Sequence, residues 1–349
     1  MKNILFAAAA LAAMSLVACD EDTSDTMNPS PAAPTGGASV TLTLTDGDGT
    51  RTFFDDKAAA ETWEKSLSSL AVYAFDKSGA LLVHRDFTPS ELTAKSATFS
   101  LPKSAAGTEC SFYAVANLDV PAAPTKSSLT TLLEKEAANY NGTFAEVSAA
   151  AKRARGFVMS GSATKTVGAV NSTTSVAVTL KRTVAKIALQ TTVDPAFAEK
   201  YPGTIRINSV KLSRAASQSL VFAAAPSAGA MSYTHTQTPA SASGHYNSLF
   251  YLYETGKLDA GSRVLLEIGA TYDLDGSDTT TDDRSEVTYP IELTGKAAGE
   301  ILRNGYYRIT ATVTGLTGLD CDLSITVADW ETPTTQVVLF EGLLLRQLT

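Results

Sequence analysis

Few residues of this chain are placed to do chemistry. The three histidines, His84, His235 and His245, stand at metal-ligand spacing neither to one another nor to a cysteine. No Gly-x-Ser-x-Gly elbow or phosphate-binding loop occurs. The densest acid is Asp273-Leu-Asp275-Gly276-Ser-Asp278, followed by Asp282 and Asp283. Oxygen ligands at alternating positions can hold calcium, but no Glu closes this loop at EF-hand spacing. It reads as the solvated tip of a hairpin. Lys152-Arg153-Ala154-Arg155 reads as a solvated basic loop in preference to a protease-sensitive site. No convergent catalytic set emerges, so an enzyme is not expected, and neither is a metal or a cofactor. What remains is one sulfur and one arginine. Cys19 ends the run Leu16-Val17-Ala18-Cys19, and Arg51 ends the turn Asp46-Gly-Asp-Gly-Thr50-Arg51. A thiol can take a lipid, and an arginine in a Gly-rich turn can enter a protease cleft.

The elements around Cys19 decide between these chemistries. Lys2 supplies a charged start, Ile4 to Val17 are apolar, and small residues lead directly to the cysteine. A plain secretory signal needs small residues before its cut and no cysteine after it. The spacing resembles the lipobox of bacterial lipoproteins, whose thiol receives a diacylglycerol before cleavage leaves it N-terminal. Residues 1–18 are therefore expected to be a signal peptide. Residues 19–38 are rich in acid, Ser, Pro and Gly, without apolar periodicity, and read as a disordered tether. Asp20, Glu21, Asp22 and Asp25 fit either an acidic surface-export signal of Bacteroidota lipoproteins or a solvated linker.

Composition fits an exported protein. The chain has 349 residues, a net charge of −8 and only 18% charged residues, and it carries no basic stripe for nucleic acid. No second apolar run approaches the ~20 residues that cross a bilayer, so the expected membrane link is the lipid. Cys110 and Cys321 lie in separate strand-like segments and are expected to be buried and unpaired rather than bridged.

Past the tether the pattern is mainly β. Val40 to Leu44 alternates as a half-buried strand, and Leu70-Ala-Val-Tyr-Ala-Phe75 is a fully apolar one. Asp76-Lys-Ser-Gly79 turns it into Ala80–Arg85. Further strands are expected at Ala97–Leu101, Cys110–Asn117, Ser175–Leu180, Val184–Thr191, Ile205–Leu212, Tyr246–Glu254, Arg263–Tyr272, Ser285–Leu293, Tyr306–Thr314 and Asp322–Val327. Helices are expected at Lys57–Ser69 and Leu129–Tyr140. Turn signals between the strands predict antiparallel sandwiches. The fold class is thus mainly β: two β-sandwich-like domains, 39–180 and 181–349, with a few short helices in the first.

Several segments now resemble, in order, one known family. Leu67-Ser-Ser-Leu70-Ala-Val-Tyr-Ala-Phe-Asp76-Lys-Ser-Gly79 is similar to the first core hairpin of fimbrillins, the type V pilins of Bacteroidales. Tyr113–Asn117, Phe157–Gly161 (as a short loop), Leu180–Ile187, Phe250–Glu254, Leu302–Ile309 and Val327-Ala-Asp-Trp330 continue the series. Each segment alone is weak; together, behind a lipobox, they are specific.

The resemblance implies transthyretin-like sandwiches and a structural, adhesive subunit. Such proteins reach the outer membrane as lipoproteins, and an arginine-specific protease then removes the lipidated segment with its first strand. A strand from a neighbouring pilus subunit fills the groove. On this chain the removable strand is Val40–Leu44 and the cut falls between Arg51 and Thr52. Arg51 is the first arginine in the chain. The implied partners are other pilus subunits, the outer membrane through the lipid, the protease, and a host or bacterial surface ligand; the final location is the fimbrium at the cell surface. The apolar tail 337–345, with Val337, Leu339, Leu343 and Leu345, fits either a donor strand or the last strand of its own domain. Stalk, tip and anchor roles all remain open. The rival reading is a lipid-anchored glycan- or protein-binding module that keeps its first strand.

Overall fold

Runs of β-branched and aromatic residues, cut by Gly, Asp and Asn, produce the strands of this chain. The structure, a computed structural model, describes residues 38–45, 53–54, 58–94, 96–135, 137–222, 232–277, 279–295, 299–330 and 334–336. All of them belong to one unit, residues 35–349. In chain order the strands are β1 (Ala38–Thr45), β2 (Leu70–Asp76), β3 (Leu81–Asp86), β4 (Ser96–Leu101), β5 (Glu109–Ala116), β6 (Leu133–Glu134) and β7 (Met159–Thr166). Next come β8 (Thr173–Ser175), β9 (Lys181–Arg182), β10 (Val184–Val193), β11 (Thr204–Ala216), β12 (Ser219–Leu220), β13 (Ser232–Gln237) and β14 (Ala240–Ala242). The series closes with β15 (His245–Tyr253), β16 (Leu265–Asp273), β17 (Arg284–Glu292), β18 (Gly305–Val313), β19 (Cys321–Asp329) and β20 (Thr334–Gln336). Among the described residues four short α-helices join them: α1 (Pro89–Ala94), α2 (Lys126–Thr130), α3 (Phe144–Ala149) and α4 (Phe197–Lys200). The expected class, mainly β with few helices, holds.

The first larger sheet runs β3-β2-β5-β7-β9, and β1 joins β4, β8 and β20 in another. The first of these is buried on both faces, which explains the fully apolar run in β2. Leu70, Val72 and Ala74 enter one core cluster, while Ala71, Tyr73 and Phe75 enter a second on the opposite face. The C-terminal half pairs the sheet β14-β15-β10-β18-β19 with the sheet β13-β11-β16-β17. Ile187, Leu189 and Ile309 from one sheet and Val210, Leu266 and Ile268 from the other share one buried cluster, so the sheets pack face to face.

The sheet that holds β10 serves both cores. Ala185, Ile187 and Leu189 point into the C-terminal cluster. Val184 and Ala188 belong to the N-terminal cluster, as do Leu249, Tyr251 and Tyr306 on the neighbouring strands. Strand alternation thereby ties the two halves through a shared wall.

Four expectations change. Lys57–Ser69 is not a helix: among its described residues only Trp63–Lys65 makes a 3-10 turn. Ala58, Ala59 and Ala60 are buried as a non-helical run, with Ala58 at φ +56°, because tertiary contacts outweigh helix propensity here. Leu129–Tyr140 breaks into the end of α2, the strand β6 paired to β12, and a 3-10 turn over Ala137–Tyr140. Phe157–Gly161 is no loop but leads into β7. The expected strand Ser175–Leu180 leaves the ladder after Ser175, although Val176, Val178 and Leu180 stay buried. It runs so close to β7 that a Cβ on Gly161 would lie 2.1 Å from the Thr179 carbonyl oxygen. Among the strand ladders of the described residues, β10 with β18 and β1 with β8 are parallel and the rest antiparallel.

Candidate functional site

β1 lies in the middle of its sheet. Along one edge it runs antiparallel to β4, from Ala38 opposite Leu101 to Thr43 opposite Ser96. Along the other edge, Ser39–Thr41 pair in parallel with Thr173–Ser175 of β8. Thr43–Thr45 pair on that same edge, antiparallel, with Gln336–Thr334 of β20. Among the described residues β4, β8 and β20 pair with no other strand. One strand therefore satisfies the ladder groups of three others. Behind it, Ala97, Phe99 and Leu101 of β4 enter the core with Val167, Val176 and Val178. Taking β1 away would strip three ladders at once and open an apolar seam.

The junction behind this sheet is built from ions and rings. Glu64 and Lys186 are each 1% exposed, and the Lys186 Nζ donates to Glu64 Oε1 at 2.6 Å. The Tyr251 hydroxyl donates to the same oxygen at 3.3 Å, and the Glu61 amide donates to Glu64 Oε2 at 2.7 Å. Arg182 donates from Nε to the Glu64 carbonyl and from Nη1 to Asn304 Oδ1, and its guanidinium carbon sits 3.8 Å from the Trp330 ring centroid. Phe157 contacts Trp63, Tyr140, Tyr251 and Trp330 with ring centroids 4.8–6.0 Å apart. Burial, with the nearby Glu64 carboxylate, pushes the Tyr251 hydroxyl well above its ordinary pKa, and burial with Glu134 does the same for Tyr140. Both tyrosines are neutral donors around neutral pH. Nothing in this arrangement joins a nucleophile to a base, and its chemistry is that of a lock.

The chain just before this lock is also held. Phe53 meets Phe144 edge-on with centroids 4.8 Å apart, and the Tyr306 hydroxyl donates to the Phe53 carbonyl at 3.3 Å. Phe54 lies over Arg308, whose guanidinium carbon is 4.5 Å from the ring centroid.

Cys19, Arg51, Thr52, Val337, Leu339, Leu343 and Leu345 lie outside the described residues. Cys110 is buried and Cys321 half-buried, both as free thiols. The carboxylates of Asp273, Asp275 and Asp283 converge to within 4.8 Å. They are occupied with closing the β16–β17 hairpin. Asp273 binds Arg284 and the Gly276 amide, Asp275 accepts from Ser277 and Thr280, and Asp283 accepts from the Asp275 amide. The basic cluster is tied down as well. Lys152 pairs with Glu146, Arg155 pairs with Asp119, and Arg153 donates to the carbonyls of Asn117 and Gly156. Sequence reasoning missed Glu64, whose place in a helix-like pattern gave no sign of burial. It also missed Asn304 at φ +56°, where the Asn-Gly pair was the available turn signal.

The family model described as major fimbrial subunit protein (FimA) matches residues 38–214, half of the chain. A solved fimbrilin from Porphyromonas gingivalis W83 is similar at 16% identity and TM-score 0.59, covering 85% of this chain and 98% of that one. A candidate cell adhesion protein from Bacteroides eggerthii is similar at 19% identity and TM-score 0.58, covering 86% and 98%. One from Parabacteroides distasonis is similar at 15% identity and TM-score 0.53, covering 86% and 99%. At these identities the structures share the fold. Among curated protein sequences none matches.

Proposed function

This chain belongs to the major fimbrial subunit (FimA) family, and we propose that it is made as a lipid-anchored outer-membrane precursor and polymerised by strand exchange. Cys19 carries the lipid. The cut falls between Arg51 and Thr52 and removes β1. A strand from another pilus subunit then takes the vacated place. We read 39–180 as the domain that receives a strand and 181–349 as the domain that carries the tail.

The observation that carries this reading is the position of β1 as the shared ladder partner of β4, β8 and β20. Loss of an edge strand would leave one ladder open; loss of this one leaves two facing edges and an apolar floor. An incoming strand repairs both edges, which makes insertion strongly favourable and slow to reverse. Because the acceptor and the donor are different surfaces of one molecule, the contact is head-to-tail and grows a filament.

The same cut bears on the tail. β20 spends Thr334–Gln336 on β1. Continued in that register, a strand would reach Thr41 two residues later, where Ser175 of β8 already pairs. The edge thus has no room for the length of 337–345, and loss of β1 frees β20 as well. Acceptor and donor would open together, which favours donation over an internal strand. Deleting Val337–Thr349 tests this. A folded monomer that caps but does not extend a filament is expected; an unfolded product would assign the tail to its own domain.

The N-terminal sequence of protein taken from the cell surface tests the whole reading. It is expected to begin at Thr52. A blocked, lipidated Cys19 on all surface material would favour the unpolymerised binding module instead.

A further inference from the structure

Removal of a strand raises the question of where removal stops. Phe53 and Phe54 are the first described residues after Arg51, and both pack against the N-terminal core. Their partners, Phe144 on α3 and Tyr306 and Arg308 on β18, belong to none of the three strands β4, β8 and β20 that pair with β1. On β18 the alternate residues Tyr307 and Ile309 face the C-terminal core, so Tyr306 and Arg308 hold the phenylalanines on the opposite face of that sheet. Four residues past Phe54 the chain is held again, with Ala58 2% and Ala60 1% exposed. Glu64 fixes it a third time.

We propose that Phe53 and Phe54 form a clamp that sets the end of the removable segment and keeps the new N-terminus docked on α3 and β18. The proposal rests on the reading that Arg51 is the processing site. A bond between two fixed points resists proteolysis, because cleavage requires the segment to open locally first. The bond after Lys57 lies between the phenylalanines and the buried alanines; the bond after Arg51 lies before both. The clamp also protects assembly. An unclamped Thr52-Phe53-Phe54 end, tethered by a short chain, would compete for the vacated ladder at an effective concentration of about millimolar. Seated on α3 and β18, it leaves the groove to a neighbour.

Limited trypsin digestion of the full exported chain tests the clamp, because trypsin cuts after both Arg51 and Lys57. Mass spectrometry of the new N-termini reads the two products. Wild-type protein is expected to give a lasting product that begins at Thr52. The Phe53→Ala/Phe54→Ala variant is expected to yield the product beginning at Ala58 about tenfold faster, as a segment whose local opening has become easier. Equal rates of the Ala58 product in the two proteins would overturn the clamp. Far-UV circular dichroism checks the fold, and if the double variant does not fold, Phe54→Ala alone carries the same comparison. Natural use of Arg51 is read separately, from surface protein. A start elsewhere than Thr52 would overturn the processing reading, while the trypsin rates still decide the clamp.

Discussion

Replacing Arg51 with alanine is expected to leave a full-length, lipidated precursor on the cell and no polymer. The physical reason is the ladder around β1. It pairs with β4 from Ala38 to Thr43, with β8 from Ser39 to Thr41 and with β20 from Thr43 to Thr45. A net gain of roughly 0.5–1.5 kcal/mol per hydrogen bond, added over such a ladder, makes spontaneous exchange of β1 rare. Without the cut, an incoming strand finds both edges occupied. The variant should melt like the wild-type precursor, because the fold keeps every strand it had. Moving the arginine one residue upstream, as Thr50→Arg in the Arg51→Ala background, should restore filaments. Surface filaments at wild-type abundance in Arg51→Ala would sink the assignment. A precursor that no longer folds would be a different failure, visible in its circular dichroism before any filament is counted.

The strands were legible where burial is simple. Ser285–Leu293 matches β17 to within one residue, because Tyr289 and Ile291 alternate into the C-terminal core, and Tyr246–Glu254 matches β15 as closely, because its apolar run is buried on both faces. The first half was less legible. Lys57–Ser69 has a helical pattern, yet Glu64 and Lys65 are buried while Thr62, Ser66 and Ser68 are exposed, so burial does not follow the helical face. β20 is a short polar run, Thr334–Gln336, and its pairing with β1 joins residues nearly a whole chain apart. Such a pairing leaves no local trace in sequence.

The segments that suggested the family turn out to meet in space. Asn117, at φ +63°, donates to the carbonyls of Ser66 and Phe157 and accepts from the Ser68 amide. Arg182 and Lys186 from the next segment meet Glu64, Asn304 and Trp330. Tyr251 stacks on Trp330. The shared sequence pattern is therefore a pattern of junction packing. It identifies the fold and the family, while the residues assigned to lipidation, cutting and donation lie outside the described residues.

That junction yields the second large expectation. Lys186→Met is expected to destabilise the protein by about 3–5 kcal/mol, because it strands a carboxylate that is almost fully buried. Tyr251 and the Glu61 amide still donate to Glu64 but supply no charge, and the buried Arg182 guanidinium donates to the Glu64 backbone carbonyl, not to its carboxylate. Adding Glu64→Gln to Lys186→Met should recover more than half of the loss, since a neutral amide can keep those contacts without an unpaired charge. Denaturant midpoints of the four proteins form the cycle that measures this. If Lys186→Met costs under about 1 kcal/mol, the pair behaves like a surface salt bridge and the lock is not structural. The consequence for a filament follows from where the lock sits. Under the proposed strand exchange, load would enter a subunit through the strand in its N-terminal groove and leave through its C-terminal tail, and so would cross the junction between the two cores. A subunit whose lock is weakened should still accept a strand, because β4 and β8 do not contact Glu64 by any hydrogen bond seen among the described residues. Its filaments should instead break under shear that wild-type filaments survive. On this reading assembly and strength should be separable, the first set by the ladder of β1 and the second by the pair Glu64–Lys186.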